Sequence, residues 1–179
     1  MPSHSTLLGA AGAHHVMAEV LRRGYIAALA PEGVPTVDIL VTDVGGARLC
    51  SIQVKARRDI GSDGGWHLKD KHENIHSDRL FYCFVDFGKA PDTCPIVYVL
   101  PSAKVAEAVF ASHRKWLATP GKNGQSHKDS HVRRLLPDYT RVFGPTNNPY
   151  PEGWLNQYRN AWHLLKLEGR DIEGEDVSC

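Results

Sequence analysis

The sequence predicts one α/β domain: a mixed β-sheet of about five strands flanked by helices, with a C-terminal helix after a long loop region. Three observations predict it. An amphipathic stripe near the N-terminus repeats with helical spacing, and five short apolar runs bounded by turn residues have the length of strands. The third is scale: 179 residues, 42% hydrophobic and 23% charged, suit a single core. No internal repeat divides the chain. The domain is expected over residues 1–167, with an acidic, flexible tail over 168–179.

The first element is a helix over Gly12–Arg23, where Val16, Met17, Val20 and Leu21 form one apolar stripe and Gly24 ends it. Three strands follow, Tyr25–Ala30, Val37–Thr42 and Leu49–Val54, separated by the turn-rich stretches Pro31–Pro35 and Asp43–Gly46. Residues 57–79 are polar, with a turn at Asp63-Gly64-Gly65 and a short helix around Lys71–Ser77. Two more strands are expected at Leu80–Phe87 and Ile96–Leu100. A helix then starts at Pro101-Ser102 and carries Val105, Val109 and Trp116 inward. Residues 119–151 are rich in Gly, Pro, Asn and charge, which predicts long surface loops. Helical spacing returns over Glu152–Leu167, with Trp154, Tyr158, Ala161, Trp162 and Leu165 on one side as a packing stripe.

Composition excludes several classes. No apolar run approaches the roughly 18 residues of a membrane span, so no membrane partner is expected. Twenty-one Lys and Arg against twenty Asp and Glu leave a net charge of +1, which excludes uniform basicity but not a local basic patch. Met1 to Ala13 lacks Lys and Arg, and Cys50, Cys83, Cys94 and Cys179 form no close pair. A cytoplasmic protein with free thiols is the expectation.

The chemistry gathers in the second and third strands. Asp38 starts the one, and Gln53-Val54-Lys55 lies in the other. Side chains repeat every two residues along a strand, so Gln53 and Lys55 share a face that Asp38 reaches if the strands are neighbours. Hard cations such as Mg2+ or Mn2+ prefer oxygen. Asp38, the Gln53 amide oxygen and the Val54 carbonyl would form a partial cage, and Lys55 would hold the attacking water or offset charge on a phosphate.

The order of these elements resembles the PD-(D/E)XK nuclease superfamily, in the variants where Gln replaces the acid of the last motif. The resemblance is carried by Gly12-Ala13-His14-His15-Val16, Leu21-Arg22-Arg23-Gly24-Tyr25, Val37-Asp38-Ile39-Leu40-Val41 and Ile52-Gln53-Val54-Lys55-Ala56-Arg57. It covers roughly the first third of the chain well. It implies a restriction-endonuclease-like sheet and magnesium-dependent cleavage of DNA. Asp38 takes the role of the metal-binding acid, Gln53 that of the second ligand and Lys55 that of the catalytic lysine. Related members also carry a Glu on the first helix directly after a Gly, where this chain has Ala13. Glu19 lies about 240° around the helix from Ala13 and is expected to face solvent.

Between His113 and Arg134, the six cations Arg114, Lys115, Lys122, Lys128, Arg133 and Arg134 meet the single acid Asp129. With Arg57 and Arg58 at the end of the third strand, Arg114, Lys115, Lys128, Arg133 and Arg134 are the expected phosphate contacts. DNA is the expected partner, and a second copy of the chain is carried as another. His72 with His76, and His127 with His131, have the spacing of a zinc pair but no third ligand. Two functions compete: a metal-dependent DNA endonuclease, and a catalytically inactive nuclease-like module that binds DNA or docks a partner.

Overall fold

A computed structural model describes residues 3–59 and 64–167; the acidic tail expected over 168–179 lies outside them. Helix α1 runs His4–Arg22, eight residues longer at its start than the apolar stripe indicates. Ser3 caps it, its hydroxyl accepting a hydrogen bond from the Thr6 amide at 3.2 Å. The added turns expose Leu7 and so carry no hydrophobic signal. At the other end Gly24 takes φ 78°, a left-handed conformation that glycine tolerates.

Five strands form the main sheet in the order β1 (Ile26–Leu29), β2 (Ile39–Thr42), β3 (Leu49–Arg57), β5 (Leu80–Asp86) and β6 (Ile96–Pro101). All neighbours are antiparallel except the central pair β3 and β5, which makes the sheet mixed. Each of the five apolar runs supplies one strand. β3 continues to Arg57, beyond the expected end at Val54, because Ala56 and Arg57 pair with Val85 and Asp86 of β5.

Both faces of the sheet are covered. On one, Val16 and Val20 of α1 pack with Ile39, Val41, Ile52, Val54, Cys83, Val85, Val97 and Val99. Gly12 brings the helix close: a Cβ there would lie 2.8 Å from the Ala56 Cβ. Helix α2 (Ser102–Ala118) buries Val105 and Val109 on the other face, beside Tyr82, Phe84 and Leu100. Trp116, expected inward, lies on the rim, stacked on His127 at 4.0 Å and His113 at 5.5 Å.

A second, two-stranded sheet covers the same face as α2. It pairs β4 (Trp66–Lys69) with β7 (Val132–Leu135), both in stretches read as loops and turns. Each is four residues long, and their partners lie more than sixty residues apart, so neither has a local signal. Trp66, Leu68 and Leu135 point inward, and the Trp66 indole donates to the Val85 carbonyl at 2.9 Å. A short helix α3 (Thr140–Phe143) follows β7.

The C-terminal helical stretch consists of two 3-10 turns, Asn156–Tyr158 and Trp162–Leu165. Gly153, Asn160 and Lys166 adopt positive φ and interrupt any longer helix. The aromatic stripe is packing, as expected, but not on one side. Trp154 and Tyr158 join the α2 core, whereas Ala161, Trp162 and Leu165 join the α1 core. Between them the chain passes the edge strand β6, where the Asn160 amide donates to the Val97 carbonyl at 2.9 Å and blunts an open edge. No described helix is long and apolar enough to cross a membrane.

Candidate active site

The site is built where β1, β2 and β3 meet. Asp38 directly precedes β2, and its backbone is tied on both sides: its amide donates to the Ile52 carbonyl and its carbonyl accepts from the Ala30 amide, each at 2.9 Å. Thr36, two residues earlier, holds φ 77°, a left-handed conformation costing a β-branched residue about 1–3 kcal/mol. Ile39 pairs with Ile52, so the next rung sets Asp38 beside Gln53 with both side chains on one face. That face is opposite α1, because Ile52 and Val54 point to the helix.

Asp38 and Gln53 meet directly. The Gln53 Nε2 donates to Asp38 Oδ2, and the Val54 amide donates to the same oxygen at 2.7 Å. The Val54 carbonyl lies 3.5 Å from Gln53 Nε2, so a carboxylate, an amide and a carbonyl are gathered at one point. Gln53 is buried and Asp38 half-buried. Lys55 stands on the same face, two residues along β3. Burial holds its ammonium below the ordinary lysine range, with Lys71 and Lys69 adding to the depression and Asp38 opposing it. Asp38, Gln53 and Lys55 thus converge as the strand register requires.

Sequence reasoning set His72 beside His76 and missed its place on the other side of this site. His72 sits in a 3-10 turn, Asp70–Glu73, directly after β4. Its Nδ1 is 2.7 Å from the hydroxyl of Tyr82, the β5 partner of Gln53. Burial, then the charges of Lys55 and Lys71, push His72 down to about 4, so it is neutral at physiological pH. The short helix expected around Lys71–Ser77 is this 3-10 turn, Asp70–Glu73, and neither its polar sequence nor the apolar run around Tyr82 signals the contact between them. His76 is exposed and does not join His72. Nor do His127 and His131 pair: one stacks on Trp116, the other contacts Asp70.

Ala13 is half-buried beside Gly12, and nothing on α1 replaces the missing acid. Glu19 is occupied by Arg23 at 2.6 Å and Arg22 at 2.9 Å. Among the described residues no group of three His, Cys, Asp or Glu could hold a metal ion. Asp38 is the carboxylate that Gln53 and the Val54 amide contact, and a cation there would rely on the Gln53 and Val54 oxygens as well. Cys50 and Cys83 are buried free thiols, and burial pushes Cys50 up to about 11.

The basic residues divide into two sets. Arg57 is fixed internally, paired with Asp86 at 2.5 Å and lying 4.2 Å from the Trp66 ring. Arg133 is buried and paired with Glu73 and, at 3.6 Å, with Asp129. Arg58 donates to the Lys89 carbonyl, and Arg114 lies over the Phe110 ring at 5.5 Å. Arg114, Lys115, Lys128 and Arg134 are exposed.

No family model matches the chain, and no curated protein matches it in sequence. Among solved structures it is similar to a bacterial homing endonuclease, I-Ssp6803I, with a TM-score of 0.52 and 17% identity over 93% of this chain and 94% of that one. A Holliday junction resolvase from Archaeoglobus fulgidus, Hjc, aligns over 71% of this chain and 82% of that one, with a TM-score of 0.39 and 12% identity. The chain has a restriction-endonuclease-like α/β fold.

Proposed function

We propose that the chain is a metal-dependent DNA endonuclease that hydrolyses phosphodiester bonds at Asp38, Gln53 and Lys55. The observation that carries this reading is the convergence of those three side chains on one face, with Asp38 Oδ2 receiving both Gln53 and the Val54 amide. The fold shared with a homing endonuclease supports it.

Mg2+ or Mn2+ would be held by the Asp38 carboxylate, the Gln53 amide oxygen and the Val54 carbonyl, an all-oxygen set that suits a hard cation. When bound, such a cation polarises a phosphate oxygen and acidifies a coordinated water. The Gln53 amide must turn its oxygen toward the cation, since Nε2 now faces Asp38. Lys55 keeps a compact positive charge beside the carboxylate, where negative charge develops on a phosphate under attack. Exposed Arg114, Lys115, Lys128 and Arg134, with Arg58, supply contacts to the DNA backbone, while Arg57 and Arg133 brace the frame through their ion pairs. Incubation of the protein with plasmid and Mg2+ or Mn2+ tests the reading. Nicking or linearisation is expected for wild type and its loss for Lys55→Ala; cleavage surviving in Lys55→Ala sinks the proposal.

A second reading, a nuclease-like module that binds DNA without cutting it, is favoured by one observation: Ala13 stands where the resemblance places an acid, and no group of three His, Cys, Asp or Glu among the described residues could hold a metal ion. Calorimetry with Mn2+ separates the two. An active site binds the ion in a way that Asp38→Ala abolishes, and a dead one shows no such binding.

A further inference from the structure

We propose that Lys69 and Lys71 form, with Lys55, a cationic rim that grips the phosphate backbone of the nucleic acid at the candidate active site. This rests on the DNA-cleaving reading and deepens it, since neither lysine belongs to the motif that singles out Asp38, Gln53 and Lys55.

Three observations carry it. The first is placement. The ribbon of β4 and β7 covers the sheet face that bears Gln53, Lys55 and Tyr82, with Trp66 5.3 Å from Phe84, the β5 partner of Lys55. Lys69 ends β4 and Lys71 lies two residues on in the 3-10 turn, next to His72, whose Nδ1 is 2.7 Å from the hydroxyl of Tyr82, the β5 partner of Gln53, so the turn that carries Lys71 sits against the site.

The second is rigidity. Four contacts hold the turn. His72 meets Tyr82, Glu73 pairs with Arg133, the Asp70 amide donates to the His131 carbonyl at 3.0 Å, and the Asp70 carboxylate meets the His131 ring at 2.5 Å. A turn fixed on both flanks offers its lysines in place, so less ordering opposes binding. His131 and Arg133, within the basic segment, thus serve to anchor the turn.

The third is charge. Lys69 and Lys71 are exposed, and neither has an ion pair within the described residues. The acid between them, Asp70, is engaged by the His131 ring at 2.5 Å, so neither lysine ammonium has it as a partner. Exposed ammonium groups without an intramolecular partner are open to an anion. A nucleic acid backbone supplies anions at the required density.

The test is binding of a labelled DNA duplex, followed by fluorescence anisotropy across a salt series in EDTA. For Lys69→Ala/Lys71→Ala the slope of log affinity against log salt should fall in magnitude by about 2. Lys69→Arg/Lys71→Arg should restore it, because charge is what acts. Lys166→Ala, in the C-terminal stretch packed on the α1 side, should leave it unchanged. Thermal melts show that each variant is folded. A wild-type slope in the double alanine variant, or an equal fall in Lys166→Ala, overturns the rim. If wild type then still cleaves plasmid in a Lys55-dependent way, the proposed function stands without it. Wild type that binds no duplex even at low salt overturns both.

Discussion

Asp38 and Gln53, fifteen residues apart in the chain, are joined side chain to side chain, with the Gln53 Nε2 donating to Asp38 Oδ2 while the Val54 amide donates to the same oxygen at 2.7 Å. The contact follows from the antiparallel register of β2 and β3 and makes the candidate site part of the framework. Asp38→Ala leaves the buried Val54 N–H without its acceptor, and should cost about 1–3 kcal/mol of folding stability, measured as a lower urea midpoint. An unchanged midpoint would mean that the two strands meet without this carboxylate.

Gln53→Glu sets a second carboxylate beside the first. In EDTA the melting temperature should fall below that of wild type, with like charges opposing each other by an amount on the order of 1–4 kcal/mol. Adding Mn2+ should reverse the order, and the metal-induced rise should exceed that of wild type. An equal response to Mn2+ in both proteins would remove residue 53 from the cation's surroundings.

Lys55 should trade stability for function. Burial depresses its folded pKa below 10.5, so the unfolded chain binds the proton more tightly, and the fold gains stability as pH rises through the folded pKa toward 10.5. At neutral pH the buried cation is a cost. Lys55→Met should therefore raise the urea midpoint at pH 7 while abolishing cleavage; a lowered midpoint would show that the ammonium supports the fold.

His72 shows the same sign in a lower pH window. Its folded pKa of about 4 lies below the unfolded 6.5, so its contribution is fully present above pH 6.5 and is lost as pH falls through about 4. Between pH 7.5 and 5 the loss should be about 2 kcal/mol. His72→Gln should flatten that part of the stability profile, and parallel profiles for the two proteins would rule the histidine out as its source.

Gly12→Ala tests how close α1 must lie to β3. The new methyl would sit 2.8 Å from the Ala56 Cβ and 3.3 Å from Val54 Cγ1. Overpacking of this kind costs about 1–3 kcal/mol, against a gain of about 1 kcal/mol in helix propensity. Net destabilisation is expected by urea titration, with a loss of cleavage because Ala56 adjoins Lys55.

Much of this was legible in the sequence because it is local. Five apolar runs gave five strands, and the two-residue period placed Gln53 and Lys55 on one face with Asp38. What lacked local signal was not legible. β4 and β7 are four residues each and acquire strand structure only from one another across the fold. The stretch from Glu152 has helical spacing, yet positive φ at Gly153, Asn160 and Lys166 breaks it into turns that serve both sheet faces. His72 and Tyr82 are ten residues apart on different elements, and only the packing of the ribbon on β5 joins them. Arg133 looks like an exposed cation in a basic run, but alternation in β7 turns it inward toward Glu73.

The central claim is that phosphodiester cleavage proceeds at Asp38, and the initial rate of plasmid cleavage in Mn2+ by wild type and by Asp38→Asn, purified in parallel and both shown to be folded, tests it most directly. The account predicts metal-dependent cleavage by wild type and a rate at least about 100-fold lower in the variant. Equal rates in the two proteins, or no cleavage by wild type, would contradict it.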